Sequence, residues 1–311
     1  MTENNIGVDI SKSHLDVHWL EAGLTARFEN TARGFRDLTK WLPKTGMARI
    51  VFEPTGPYHR AFEAALGNSL PLVKVNPLQA RRFAEAQGTR AKTDAVDARM
   101  LARMGSAFGL VPQAAPSKEA LALKELHVAR RALVKDRTRL MNREKTLTSA
   151  LLKRHAKARL AQVECQITEI DAEIRDLVTR QDISARGFEI LCSIPGLGKV
   201  SAAALLTEMP ELGSLGRKQA ASLAGLAPVT RESGQWRGKA FIRGGRKPLR
   251  DALYMPAVVA MRFNPDLKRK YDSLRAAGKP AKVAIIALMR KLIELANTLL
   301  KHDRKWTPRA A

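Results

Sequence analysis

Apolar and polar positions alternate through the opening stretch "NIGVDISKSHLDVHWLEAG". Ile6, Val8 and Ile10 share one face of an extended strand and Asp9 takes the other, so the period of two predicts a strand and a second one forming a hairpin with it. "LTARFEN" reads as a third strand. The spacing turns helical in "TARGFRDLTKWL", started by Asn30 or Thr31, and becomes β-rich again in "ARIVFEP", which Pro54 ends. A helix "TGPYHRAFEAALG", a strand "LPLVKVN" and a helix "TDAVDARMLARMGS" capped by Thr93 follow. Residues 1–112 thus read as an α/β domain with a mixed sheet, in the order three strands, helix, strand, helix, strand, helix.

From Ser117 to Gln181 there is no Gly or Pro. Leu126, Leu133, Leu140 and Leu147 recur every seven residues, and Leu160, Val163, Ile167, Ile170, Ile174 and Leu177 alternate steps of three and four, the mark of coiled-coil seams. Residues 117–182 are therefore expected to be a coiled-coil linker whose helices pair within the chain or with a second subunit, against the plainer reading of a solvated connector. The basic cluster "LLKRHAKAR" between the seams marks a turn or an exposed helix surface. Residues 186–308 begin with "EILCSIPGLGKVSAAALLTEM", helix, Pro-Gly-x-Gly turn and small-residue helix. Such a turn lets backbone amides approach a phosphate, and Lys199 with the following helix start adds positive potential. A helix-hairpin-helix is expected, with an ordinary helical hairpin as the competing account. "AKVAIIALMRKLIELANTLLK" is a final amphipathic helix fit to close this region's core.

Charge adds a partner class. Lys and Arg total 54 against 30 Asp and Glu, a net +24, which attracts polyanions, nucleic acid first among them. A ribosomal or membrane-surface protein would carry the same excess. Arg231, Arg237, Lys239, Arg243, Arg246, Lys247 and Arg250 crowd one turn-rich stretch, for which phosphate binding is the simple explanation. With no long apolar run and no basic-then-apolar leader, a soluble, intracellular protein without membrane contact is expected. Cys165 and Cys192 suit neither a disulfide framework nor a zinc spacing and read as reduced core thiols. The six histidines show no metal-ligand spacing.

The acids carry the chemistry. Singly, each has a bland role: Asp9 on a solvated edge strand, Glu53 at a strand end, Asp94 as a helix-start charge, Asp97 as a partner for Arg90 or Arg99. Jointly, they sit on elements that converge if the first strand is central, the fourth pairs beside it and the last helix crosses the sheet. Asp16, Glu63 and Glu85 point to that edge less naturally. Four like charges together call for divalent metal; carboxylate oxygens suit Mg2+ or Mn2+, and two such ions roughly 3.5 to 4 Å apart serve phosphodiester chemistry.

The element order is that of a ribonuclease-H-like fold, and the motifs go further. "GVDISK" with Asp9, "FEPTG" with Glu53 and "KTDAVDARMLA" with Asp94 and Asp97 resemble the DEDD motif of the IS110 (IS-one-ten) family of insertion-sequence transposases, whose first domain is similar to the junction resolvase RuvC. "IPGLGKVSAAALL" and "AGLAPVTRESGQWRGKAFIRGGRKPLRDALY" resemble the family's C-terminal transposase domain. The resemblance implies a DNA transposase or recombinase that joins its DEDD site to a serine nucleophile, here Ser233 in "TRESGQW", and forms a transient covalent link to DNA. By itself Ser233 reads as a turn serine before Gly234. The resemblance further implies donor and target DNA chosen by a bridge RNA, a homo-oligomer (dimer or tetramer) bridged by the coiled coil, and a place at the prokaryotic nucleoid. The competing readings are a RuvC-like metal-dependent nuclease or junction resolvase that uses water, and a non-enzymatic architectural protein.

Overall fold

Strand β1 (Asn4–Ile10) is buried on both faces, which only a central strand can be. The solvated edge of the bland reading of Asp9 does not exist, and the central first strand that convergence of the acids requires is present. The structure, a computed structural model, describes residues 3–54, 56–88, 93–112, 117–180 and 182–308, in two compact units, Met1–Ser117 and Lys118–Ala311.

In the first unit β2 (His14–Trp19) and β3 (Leu24–Glu29) continue β1 as an antiparallel meander, α1 (Ala32–Trp41) follows, and β4 (Met47–Phe52) returns parallel to β1. Then come α2 (His59–Leu66), β5 (Leu72–Lys74) parallel to β4, α3 (Pro77–Ala86) and α4 (Asp94–Ala107). The sheet order is β3-β2-β1-β4-β5. Ile6, Val8 and Ile10 pack with Phe35, Leu38 and Phe62 of α1 and α2 on one face; Val51 and Val73 meet Leu101 and Met104 of α4 on the other. Thr31 caps α1 by accepting from the Gly34 amide, and Thr93 caps α4 by accepting from the Val96 amide, both as expected. Helix α3 was not expected. Asn76 caps it and Pro77 opens it, but it buries none of its side chains, so no apolar stripe announces it.

The second unit starts with two long helices, α5 (Lys118–Glu144) and α6 (Ala150–Arg180). They run antiparallel, Leu123 meeting Ile174 and Val178 near one end, while Arg130 grips Asp171 with both nitrogens of its fork at 2.5 and 3.1 Å. At that end Leu126 of the first predicted seam shares an apolar cluster with Ile170, Ile174 and Leu177 of the second. Cys165 is exposed on α6, its thiol donating to Glu169 at 3.2 Å, so it is no core thiol; Cys192 is half-buried. Next, α7 (Asp182–Cys192) and α8 (Lys199–Glu208) form a helical hairpin about the Pro-Gly turn, followed by α9 (Arg217–Leu223). Four two-residue strands, β6 (Pro228–Val229), β7 (Glu232–Ser233), β8 (Trp236–Arg237) and β9 (Phe241–Ile242), precede α10 (Lys247–Phe263), α11 (Pro265–Ala276) and α12 (Ala281–Lys301). As expected, α12 closes the core, burying Ile285, Leu288, Leu292, Ile293 and Leu299 against the other helices. Its buried Asn297 ties down the α8–α9 loop, accepting from the Gly213 amide at 2.8 Å and donating to the Leu215 carbonyl at 2.7 Å. No helix among the described residues is long and apolar enough to cross a membrane.

Candidate active site

The parallel pairing of β1 with β4 sets the geometry. Val8 stands beside Phe52, so Asp9 and Glu53, the next residue of each chain, lie at the same carboxyl end of the sheet. Gly7 precedes Asp9 on the same face. A β-carbon there would strike the Ala98 carbonyl of α4, so only glycine lets that helix lie flat on β1. Ala98 and Ala102 keep the helix surface equally low. Asp94 and Asp97 occupy the first turn of α4, where the positive end of the helix favours carboxylates, and three-residue spacing puts them on one side.

The strand register adds an acid that the sequence reading set aside. Asp16 on β2 lies directly across from Asp9, and Arg27 on β3 directly across from Asp16. Arg27 holds Asp16 bidentately at 2.9 and 3.1 Å and comes within 3.8 Å of Asp94. The only clue in the sequence is hairpin register, which places residue 16 opposite residue 9 once the turn is fixed. Asp16 is almost fully buried, yet its charge is met by the Arg27 fork.

Asp9 has no such relief. Burial first, then the charges of Asp94, Asp97, Glu53 and Asp16, push its carboxyl up to about 6. The other three acids of the DEDD pattern thus all act on Asp9. Among the described residues no three His, Cys, Asp or Glu side chains already form an ion-holding group, so the acids are electrostatic neighbours rather than an assembled cage. Their donor chemistry, an all-oxygen carboxylate set, fits a hard divalent cation. Arg90 lies outside the described residues.

Ser233 lies in the second unit, on a ribbon whose base is β6 paired with β9 and whose end is β7 paired with β8. Ser233 pairs with Trp236 across the two-residue turn Gly234–Gln235, and Gly234 adopts φ +56°, the left-handed conformation a tight hairpin demands. Ser233 is exposed, and so is the Trp236 ring, at 59%. The sequence reading named neither Trp236 nor the ribbon, because two-residue strands leave no alternation to detect.

The expected phosphate contacts fall into two groups. Arg246 binds the Glu211 carboxylate at 2.7 and 2.8 Å and the Glu208 carbonyl at 2.7 Å; Arg250 donates to the Gly244 carbonyl at 2.7 Å; Lys247 pairs with Asp251 at 2.6 Å. Arg246 and Arg250 thus have jobs inside the fold, while Lys247 makes a surface pair one turn along its own helix. Lys199, Arg237, Lys239 and Arg243 are exposed with no acidic partner among the described residues, and Arg231, also exposed, lies over the Phe241 ring.

Comparison with known proteins adds a second line. Residues 6–153 match the DEDD transposase family DEDD_Tnp_IS110, described as "Transposase", and residues 188–272 match "Transposase IS116/IS110/IS902 family". Over 325 residues the chain is 30% identical to the "Pilin gene-inverting protein" of Moraxella bovis, covering 99% of each. The Moraxella lacunata protein of that name is equally similar, 30% over 326 residues with 99% of each covered. A 42 kDa protein of insertion element IS900 from Mycobacterium paratuberculosis is 33% identical over 168 residues, 52% of this chain and 40% of its own.

Proposed function

The chain belongs to the IS116/IS110/IS902 family of transposases, enzymes that cleave and transfer DNA strands, and on that premise we propose that Asp9, Glu53, Asp94 and Asp97 are its cation-holding acids and Ser233 its nucleophile. The observation that carries the first half is the state of Asp9, desolvated and surrounded by acids until its carboxyl titrates near 6. A fold keeps such crowding where a cation relieves it. Bound there, Mg2+ or Mn2+ would supply positive charge to a transferring phosphate.

The chain's own groups divide the rest of the work. Ser233 Oγ attacks the phosphorus of a DNA phosphodiester; an Oγ–P bond forms, the bond to one bridging oxygen breaks, and that strand end leaves as a hydroxyl bearing the proton Oγ gives up. Attack by a strand hydroxyl on the same phosphorus reverses the sequence, joins the DNA and returns Ser233. Exposure on a ribbon end suits a nucleophile that must reach a backbone phosphate. Lys199, Arg231, Arg237, Lys239 and Arg243 bind phosphates around it, while Arg246 and Arg250 hold the platform. Sequence choice falls to a bridge RNA, with the exposed cations of this unit holding backbone phosphate. The working form is a homo-oligomer, dimer or tetramer.

The test incubates the protein with element-end DNA, the RNA from the element's non-coding flank and Mg2+, then resolves protein–DNA adducts on a denaturing gel. An adduct that disappears in both Ser233→Ala and Asp9→Asn, and on chelation of the metal, is the expected result. Cleavage without adduct, persisting in Ser233→Ala, would instead make the protein a water-using nuclease of the resolvase type.

A further inference from the structure

We infer that the far end of the α5–α6 hairpin is a second nucleic-acid surface, one that grips the phosphates of duplex DNA independently of Ser233 and its neighbouring cations. It rests on the family's DNA substrate and not on the roles assigned to the acids or the serine.

The two helices are electrically unlike along their length. Residues 135–159, the end of α5, the turn and the start of α6, hold nine Lys and Arg against two Asp and Glu, a net +7. The rest of the same helices, 118–134 and 160–180, holds six against seven, a net −1. A cation excess spread for solubility would not stop halfway. The near half is knitted by its apolar seam and by the Arg130–Asp171 clamp. In the far half only Arg139 has an acidic partner among the described residues, Asp136 at 3.3 Å on its own helix. Arg143, Lys153, Arg154, Lys157 and Arg159 are exposed and unpaired there.

Between the helices in this half lies a groove of about 330 Å³, into which α5 presents Arg139 and Arg143 and α6 presents Arg159, with the amides of Gln162 and Gln166 alongside and one carboxylate, Asp136, already paired with Arg139. Arg139 and Arg143 are one turn apart, and so are Lys153 and Lys157. Like charges so placed repel, a cost that a bound polyanion reverses. A concave strip of guanidinium and amide donors on rigid helices is what backbone phosphate takes.

The occupant's form follows from what is missing. Residues 118–180 contain no Phe, Trp or Tyr, so the large aromatic faces that unpaired bases favour for stacking are missing. Duplex backbone remains, and the duplex this family works on is DNA. Met141, Leu151 and Leu152 are also exposed near the turn, which makes self-association the rival use of the same end.

The experiment compares full-length protein with a variant carrying Lys153→Gln, Arg154→Gln, Lys157→Gln and Arg159→Gln, measuring binding to a linear 60-base-pair DNA duplex across a salt series. Glutamine keeps helix propensity, and circular dichroism checks that the helices persist. Each phosphate contact contributes about 0.9 to the slope of log K against log salt, so the variant's slope is expected to flatten by about 2 to 4, with affinity at about 0.1 M salt reduced tenfold or more. A companion variant, Lys153→Arg with Lys157→Arg, is expected to keep the slope, and so is Lys118→Gln with Lys124→Gln in the near half. An unchanged slope in the fourfold variant overturns the inference. So does loss confined to an RNA duplex of equal length, and so does a change of sedimenting mass without a change in DNA slope. Asp9→Asn keeps the full slope, which separates failure here from failure of the catalytic assignment.

Discussion

The first unit holds 15 Lys and Arg against 11 Asp and Glu, a net +4; the second holds 39 against 19, a net +20. Yet it is in the nearly balanced unit that like charges crowd one another. There Asp9 is half-buried among other acids, and its own desolvation first, then their charges, bring it to about 6. In the second unit most cations stand in solvent, where each is worth little by itself and the sum acts on a distant polyanion. Placement gives a charge chemical force; number gives it reach.

Four measurements sharpen or break this contrast, from the largest effect to the smallest. Gly7→Val puts a branched side chain where the Ala98 carbonyl sits, and α4 must lift off β1. About 3 kcal/mol of first-unit stability is expected to go, seen as a lower melting temperature, together with DNA cleavage, since Asp94 and Asp97 move with the helix. Unchanged melting would mean that the acids do not depend on that close approach.

His127 tests a strongly buried titratable group of the second unit. Burial, then Arg130, push its imidazole down to about 4, with Arg131 acting the same way and Asp171 and a backbone bond to Ala203 opposing. The folded value lies below the unfolded one of about 6.5, so the unfolded chain takes up a proton that the folded one refuses. Stability is therefore full above about pH 6.5 and falls as pH drops towards 4, by at most about 3 kcal/mol. His127→Gln is expected to flatten that dependence in unfolding titrations across the window. A wild-type profile already flat would place the histidine in water.

Asp9→Asn removes one charge from the crowd, so without metal the first unit should become more stable by about 1 kcal/mol while catalysis is lost. Destabilisation would show that Asp9 is held by favourable partners. Glu211→Gln keeps the shape of the Arg246 clamp and removes its charge; both groups are about a third exposed, so the expected loss is under about 1 kcal/mol in urea unfolding.

What could be read in the sequence was local. The period of two around Asp9, the Thr31 and Thr93 caps and the three-residue spacing of Asp94 and Asp97 each need only a few neighbours, and the fold bears out the strands and helices they announce. What escaped was long-range. Asp16 faces Asp9 only once the hairpin register is set. Gly7 looks like any strand glycine until α4, some ninety residues on, comes to lie over it. Arg246 stood among apparent phosphate contacts because its partner Glu211 is 35 residues away, across a turn. The ribbon under Ser233 was invisible for another reason: pairs of residues cannot show a period.

The long hairpin is also a gauge. Helix α6 has 31 residues, about 46 Å at 1.5 Å each, with no Gly or Pro to bend it. Duplex DNA covers that distance in about 14 base pairs, roughly one and a third turns. One heptad added to each helix would lengthen the hairpin by about 10 Å, close to three base pairs, turning a duplex held at the tip by almost a third of a revolution. Spacing along DNA would then be written in helix length, and an insertion or deletion there would act as a shift of phase.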